Sequence, residues 1–529
     1  MSRASRWGLA FAGVVAVASS IGAGELLAGL IPGAPSPVLS IGRRVIEFQP
    51  PGAKDFMTSL FGTNDKLVLE IVIVVVALAI GASLGILAER RRDIAASAIA
   101  AFAGLGFLAS LGDPDSVLAL AAGGAAVEAF VGMQMLGWLV GLATAGQAKA
   151  NAPSGPSPAL EPVRSRTDLR RRTGSMPDWT RRNLLIRGGA VAAGSVAAVA
   201  FGRVLLEGQR RPVSSVNLPS PGRTASLPTG ADLGVSGITP IVVPNDDFYR
   251  IDTALIAPNV DALDWKLTVK GMVDREVELT YAELTALPIV EQYVTIACVS
   301  NEVGGGLVGN ALWRGVPLRT VLDMAGVQAG ATQLVGRSVD GFTVGMPTEW
   351  VMDTSREPLI AVGMNGEPLP RAHGYPARLI VPGLFGYVSA TKWLSEIELT
   401  TLEAFDAYWV PLGWAKEAPI LTQSRIDVPR PGAALDPGRI PIAGVAWAID
   451  RGISKVEVAI DGVWHEARLS TPISNATWVQ WVYDWDATPG TYELEVRATD
   501  GTGAVQTADR SAPAPDGARG HHKLKVRVA

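Results

Sequence analysis

The chain has 529 residues, of which 48% are hydrophobic and 18% charged, with a formal net charge of -4 and a single cysteine. That length exceeds what one core fills, so two or more domains are expected, and the charge balance gives no reason to propose nucleic acid as a partner. One cysteine excludes intrachain disulfides, cysteine-ligated iron–sulfur clusters and a C-x-x-C-H haem attachment.

Residues 1–207 are rich in Ala, Gly, Val and Leu, and apolar runs recur at about 7–31, 67–87, 94–112, 116–143 and 184–206. Each is near the ~20 residues a helix needs to cross a bilayer, so five transmembrane helices are predicted, with the termini on opposite sides. Arg90, Arg91 and Arg92 lie between the second and third runs, and many arginines from Arg164 to Arg182 precede the fifth. Basic loops stay inside, which places the N-terminus in the cytoplasm and everything after residue 207 outside. Arg43, Arg44, Lys54 and Lys66 then fall on the outer side, against the rule but in a longer loop. Thr180-Arg181-Arg182-Asn183-Leu184-Leu185 resembles a twin-arginine export signal inside the chain; a plain positive flank would orient the fifth helix the same way. Within the runs Glu25, Glu70 and Glu128 stand out. The first two are near outer ends, where they would reach the interface, while Glu128 is mid-span, as an ion or proton site or as helix-packing polarity. The four histidines, His373, His465, His521 and His522, lie outside the runs, which excludes a bis-histidine haem in the membrane.

Residues 208–237 are rich in Pro, Gly, Ser and Arg and read as an exposed tether, with order beginning at Ile238. Trp265–Val273 alternates as a strand; Thr280–Leu287 starts a helix, with Thr280 as cap and Glu283 three residues on. Val316–Ala325 has helical spacing, with Gly326 as its stop. The mixture predicts an α+β domain. Tyr293–Ala297 reads as a short strand, so Cys298 enters a loop, and Gly304-Gly305-Gly306 beyond it would let backbone approach a bulky ligand. On its own Cys298 is a small buried hydrophobe, a nucleophile or a soft metal ligand.

The blocks TIACVSN, NALWRGVPL at Asn310–Leu318, DGFTVGMP at Asp340–Pro347, NGEPLPRAHGYPARLIVPG at Asn365–Gly383 and TKWL at Thr391–Leu394 follow in order. Together they resemble the molybdopterin domain of the sulfite oxidase family, over roughly residues 240–425. The resemblance implies a molybdenum–molybdopterin cofactor, with Cys298 as thiolate ligand of the metal. It implies contacts to the organic part from Asn245, Tyr249, Arg250, Asp340, Thr343, His373, Arg378, Thr391 and Lys392. It also implies catalytic roles for Cys298, Arg250 and Tyr408, the last as a phenol that relays a proton. Read without the resemblance, Arg250 is a surface base, Lys392 a strand end and Tyr408 a core aromatic beside Trp409 and Trp414. The chain departs from the family at Asp252, where a histidine is usual, at Ala390 in place of a serine, and at Glu302 in place of an arginine.

From Pro441 onward, alternating runs such as KVEVAIDGVWHEARL and TYELEVRAT are separated by Asp-Gly, Pro-Gly and Gly-Thr-Gly turns, the pattern of an antiparallel sandwich. It resembles the immunoglobulin-like dimerisation domain that follows the cofactor domain in sulfite oxidases, which implies a homodimer. His465, Trp464, Trp478 and Trp481 there read as packing residues.

The expected architecture is therefore multi-domain. A five-helix transmembrane bundle (1–207) and a linker (208–237) precede an α+β sulfite-oxidase-type molybdopterin domain (238–430) and an all-β immunoglobulin-like sandwich (431–529). The expected activity is oxygen-atom transfer on sulfite or a related sulfur or oxo substrate at the outer face of the plasma membrane. Electrons would pass to a separate carrier, a cytochrome or a quinone-linked partner. Three alternatives stay open. One is sulfoxide reduction by the same centre; another is a cysteine transpeptidase with Cys298 as nucleophile and His373 as base; the third is a cofactor-free chain whose five-span module binds lipid or a partner, with the outer part as adaptor.

Overall fold

In a computed structural model the described residues are 3–49, 57, 60–61, 65–111, 113, 116–150, 178–208 and 216–529. Lys54 and the basic stretch from Arg164 to residue 177 lie outside them. The chain divides into two compact units, one of N-terminal helices and one that contains Pro212–Ala529.

The helical unit consists of α1 (Arg3–Leu30), α2 (Pro37–Glu47), α3 (Asp65–Leu87), α4 (Arg92–Ser110), α5 (Leu118–Ala150) and α6 (Asp178–Gly208). All but α2 are long and apolar enough to cross a membrane, by length and composition. Helix α1 packs against α3, α5 and α6. A Cβ on Gly13 would stand 1.9 Å from the Gly81 carbonyl oxygen, so α1 and α3 meet backbone to backbone through small residues. Helix α2 was not foreseen: Ser36 caps it, accepting from Leu39 N at 3.3 Å, and Pro37 supplies its first position.

The expectation that Glu25 reaches the interface fails. It is 0% exposed; its Oε1 accepts from Ser36 Oγ at 2.6 Å and Val38 N at 3.2 Å. Its Oε2 lies 2.8 Å from Arg203 Nε, and Arg203 Nη2 lies 3.2 Å from Glu70 Oε2. A carboxylate among apolar helices is tolerable when a guanidinium and hydrogen-bond donors surround it; here the donors come from the start of α2, and the guanidinium from far along the chain on α6.

The second unit opens with strands β1 (Lys266–Gly271), β2 (Val277–Thr280), β3 (Val290–Ala297), β4 (Val308–Pro317) and β5 (Gln333–Ser338). It continues with β6 (Thr343–Pro347), β7 (Leu359–Met364), β8 (Glu367–Pro368), β9 (Arg378–Ile380) and β10 (Leu394–Thr400). One sheet runs β2-β1-β10-β5-β6, and a second runs β3-β4-β7-β8 with β9 on β7. The predicted helix start is present over Tyr281–Thr285 with a capping box between Thr280 and Glu283. Leu318–Ala325 is helical and stops at Gly326, whose φ of +71° suits a residue without Cβ.

Two further sheets close the chain. The first pairs β11 (Gln423–Val428), β13 (Gly438–Trp447), β17 (Val479–Ala487) and β16 (Arg468–Leu469). The second pairs β12 (Ala434–Leu435), β19 (His522–Val528), β18 (Gly490–Asp500), β14 (Ile453–Ile460) and β15 (Val463–Glu466). Trp481, Val458 and Val496 are buried between them. This two-sheet sandwich begins at Gln423, ahead of the expected boundary at 431, and is not walled off from the preceding domain. Trp447 and Trp478 belong to the same buried core as Leu334 and Val362. Trp478 Nε1 donates to the Ile241 carbonyl at 3.0 Å and its backbone N to Thr295 Oγ1 at 2.9 Å.

The predicted tether is also corrected over its described part, 216–237. Gly222 N donates to the Ile289 carbonyl at 2.8 Å and Glu291 N to the Arg223 carbonyl at 2.9 Å, which lays the segment along β3. Ala231 is buried, and Leu233 N donates to Gln480 Oε1 at 2.8 Å. Pro and Gly remove internal hydrogen bonding from a segment, yet its remaining backbone groups still find partners on a neighbouring edge.

Candidate functional site

The last residue of β3 delivers Cys298 into a closed turn. Cys298 N donates to the Leu307 carbonyl at 2.9 Å, Asn301 N donates to the Cys298 carbonyl at 3.1 Å, and Asn301 Oδ1 accepts from Leu307 N at 2.7 Å. The thiol is 9% exposed and its Sγ lies 3.0 Å from Ser300 Oγ. It opens onto a cleft of about 80 Å³, which Tyr249, Asp340, Arg378 and Lys392 also line. The glycine run does something other than expected. Gly304 adopts φ +79°, and a Cβ there would fall 2.3 Å from the His522 ring, while Gly305 accepts from Arg425 Nη1 at 2.7 Å. These glycines press the turn against the sandwich and leave the cleft to other residues.

Arg378 opens strand β9 and is 3% exposed. Its Nη1 donates to the His373 carbonyl at 3.0 Å and Nη2 to the Ala390 carbonyl at 3.4 Å, and the guanidinium sits 5.0 Å from the Trp313 ring centroid. Its Nε has no partner among the described residues, and no ion pair joins it to a carboxylate. Burial draws this guanidinium down to about 10 from 12.5, with only Tyr249 opposing. Burial, and next the adjacent Cys298, push the Tyr249 phenol up.

Lys392 Nζ donates to Asp252 Oδ2 and to the Ala372 carbonyl, each at 3.1 Å. Asp252 Oδ2 also accepts from Arg250 Nε at 3.0 Å, so one carboxylate holds two cations. Burial pulls Lys392 down to about 8 in spite of Asp252. His373 stands behind this group. Its Nε2 lies 3.0 Å from the Asn245 carbonyl and its ring meets Phe248 edge-on at 5.7 Å. Burial, then Lys392 and Arg378, lower it to about 4, so it is neutral at physiological pH.

The remaining predicted residues are bonded into or packed against the frame around the cleft. Asn245 donates to the Met364 carbonyl at 3.3 Å and to Glu367, and accepts from Asn365 Nδ2 at 2.8 Å. Thr343 Oγ1 accepts from Tyr408 N at 3.0 Å. Thr391 is fully buried, with Oγ1 unpartnered. The Tyr408 ring packs at 5.5 Å from Phe342 and 5.1 Å from Trp409, and it is Trp409 that lines the cleft. Among the described residues no hydrogen bond joins Cys298 to His373, so the pairing a cysteine transpeptidase needs is absent.

Sequence reasoning missed Asp252 as a site residue, although its departure from the family pattern was the signal. It also missed the aromatic wall of Phe248, Phe342, Tyr387, Trp393 and Trp409. The described residues contain no group of three or more His, Cys, Asp or Glu able to hold a metal ion, so the thiol is the one soft donor the cleft offers.

Residues 254–409 match the family model of the oxidoreductase molybdopterin-binding domain. The mitochondrial sulfite oxidase of Homo sapiens is 29% identical over 304 residues, 48% of this chain and 55% of that protein. The sulfite oxidase of Gallus gallus is 29% identical over 50% of this chain and 68% of its own. The NADH nitrate reductase of Hordeum vulgare is 33% identical over 28% of this chain and 19% of its own. The sulfane dehydrogenase SoxCD of Paracoccus pantotrophus superposes with a TM-score of 0.48 at 24% identity, covering 56% of this chain and 85% of that one. The chain spans about half the length of the mammalian relatives it matches, 55% and 49% in two cases.

Proposed function

We propose that residues 254–409, which match the family model of the oxidoreductase molybdopterin-binding domain, work as a sulfite-oxidase-type centre, and that the chain transfers an oxygen atom to or from a small sulfur or oxo substrate, with sulfite as the leading candidate. The observation that carries this is Arg378: a buried guanidinium with no carboxylate partner and no partner for its Nε among the described residues, lining the same cleft as the only thiol in the sequence. A buried unpaired cation costs several kcal/mol and is retained where an anionic group completes it. The residues therefore fit a molybdenum cofactor, whose organic part ends in a phosphate.

Cys298 would hold the metal as a thiolate, and Arg378 and Lys392 would hold the anionic end. When bound, the cofactor supplies two-electron oxygen-atom exchange. The protein's part is positional. The turn closed by Asn301 fixes Cys298, Asp252 orients Arg250 and Lys392 toward one another, and neutral His373 braces the Asn245 backbone. The aromatic wall limits water in the cleft and also suits an organic substrate, which keeps sulfoxide reduction as a second reading.

The five apolar helices support anchoring in the plasma membrane, and Arg90 and Arg91 between α3 and α4, with Arg92 opening α4, support an inward position for that loop and an outward second unit. Electrons would then pass to a separate carrier, and the sandwich, read as immunoglobulin-like, would pair two copies. The test is molybdenum and pterin content of the full chain from a cofactor-competent host, followed by sulfite-dependent reduction of ferricyanide and sulfoxide-dependent oxidation of a reduced viologen. Molybdenum far below one per chain refutes the proposal; turnover of a sulfoxide without sulfite selects the second reading.

A further inference from the structure

A carboxylate within the helical unit has no assigned work. Glu128, on α5, is 8% exposed, and among the described residues no hydrogen bond or ion pair reaches its carboxyl group. A Cβ on Gly24 would lie 2.3 Å from Glu128 Oε1, which sets the carboxyl against the backbone of α1, one residue from Glu25. It also lines a small cavity of about 10 Å³, room for about one water, walled by α1, α2, α4 and α5 and the segment before α2. Into the same cavity faces Ser40, 2% exposed, whose Oγ is likewise unpartnered.

The surrounding charges are already committed. Glu25 of α1 and Glu70 of α3 share the guanidinium of Arg203 from α6, so two carboxylates meet one cation before Glu128 is counted. On α2, Arg43 pairs with Asp113 and Arg44 with Glu47, and α4 gives the cavity no charged group. An ionised Glu128 would be an unpaired charge among apolar helices beside an acidic pair, which is costly in a bilayer. A metal cation would need several oxygen ligands, and no group of three or more His, Cys, Asp or Glu occurs among the described residues.

We propose that Glu128 is a proton-binding site: its carboxyl group takes up and releases a proton through the cavity it shares with Ser40. This rests on the reading that the apolar helices cross a bilayer. A neutral acid satisfies the geometry, since its O–H can donate to Ser40 or to water in the cavity while the second oxygen accepts.

The test treats the full chain, in alkaline-washed membranes, with dicyclohexylcarbodiimide, which reacts with protonated carboxyls in apolar surroundings, and maps the adduct by peptide mass spectrometry. The expected result is an adduct on Glu128, absent from Glu25, whose labelling falls as pH is raised from about 5 to about 9. Glu128→Gln loses the adduct, and Ser40→Ala keeps it with a shifted pH profile. Labelling of Glu25 in place of Glu128, labelling that ignores pH, or no labelling in membranes that retain the protein overturns the proposal. Protection by sodium ions at fixed pH overturns it in favour of a metal cation. Release of the chain by the alkaline wash removes the membrane reading, and this site with it, which separates that failure from the others.

Discussion

Replacing Arg378 by methionine separates folding from ligand binding. The fall of its guanidinium from 12.5 to about 10 corresponds to roughly 3 kcal/mol of burial penalty on the charged form. At 3% exposure solvent screening does not erase that figure. Against it stand the hydrogen bonds to the His373 and Ala390 carbonyls, about 1 kcal/mol each, and a contact with the Trp313 ring of about 1 kcal/mol. Methionine fills nearly the same volume and removes both sides of this balance. Arg378→Met should therefore change the stability of the cofactor-free protein by less than about 1–2 kcal/mol, while the metal and pterin content of protein made in a competent host falls to background. The assay pairs thermal unfolding of cofactor-free chains with molybdenum analysis of loaded ones. A loss of more than about 4 kcal/mol in the empty protein, or normal molybdenum in the variant, would refute the reasoning.

Cys298→Ser should remove bound molybdenum and activity yet leave the melting temperature of the cofactor-free chain nearly unchanged, because the thiol's hydrogen-bond partner among the described residues is Ser300 Oγ, which a serine hydroxyl can also meet; a large melting shift would mark the sulfur as a packing atom. His373 lies at about 4 when folded and 6.5 when not, so its effect on stability is nil above about pH 6.5. As pH falls from there to about 4 the unfolded chain binds the proton first, and up to about 3 kcal/mol of stability is lost. In His373→Gln the slope of melting temperature against pH over that window should flatten, and an unchanged slope would exclude the histidine as its source. Because the Tyr408 ring packs against Phe342 while Trp409 faces the cleft, Tyr408→Phe should keep turnover within about threefold. A loss of a hundredfold or more would restore a chemical role to the phenol.

Local pattern carried much of this protein. Unbroken apolar runs predicted the five long helices because a bilayer-length helix needs no partner to be recognised, and the boundaries agree to within a few residues apart from the longer ends of α5 and α6. The capping box at Thr280, the stop at Gly326, the placement of Cys298 at the end of β3 and the alternation of the sandwich strands are short-range consequences of side-chain chemistry. What no window could contain was decided by approach across the fold. Asp252 became the shared counter-ion of Arg250 and Lys392 although Lys392 lies 140 positions away. Arg203 turned Glu25 from a presumed interfacial residue into a buried ion pair. Gly304, read as a place for a ligand, is filled by the ring of His522. Charge pairing and steric contact depend on distance in space, and the sequence states only distance along the chain.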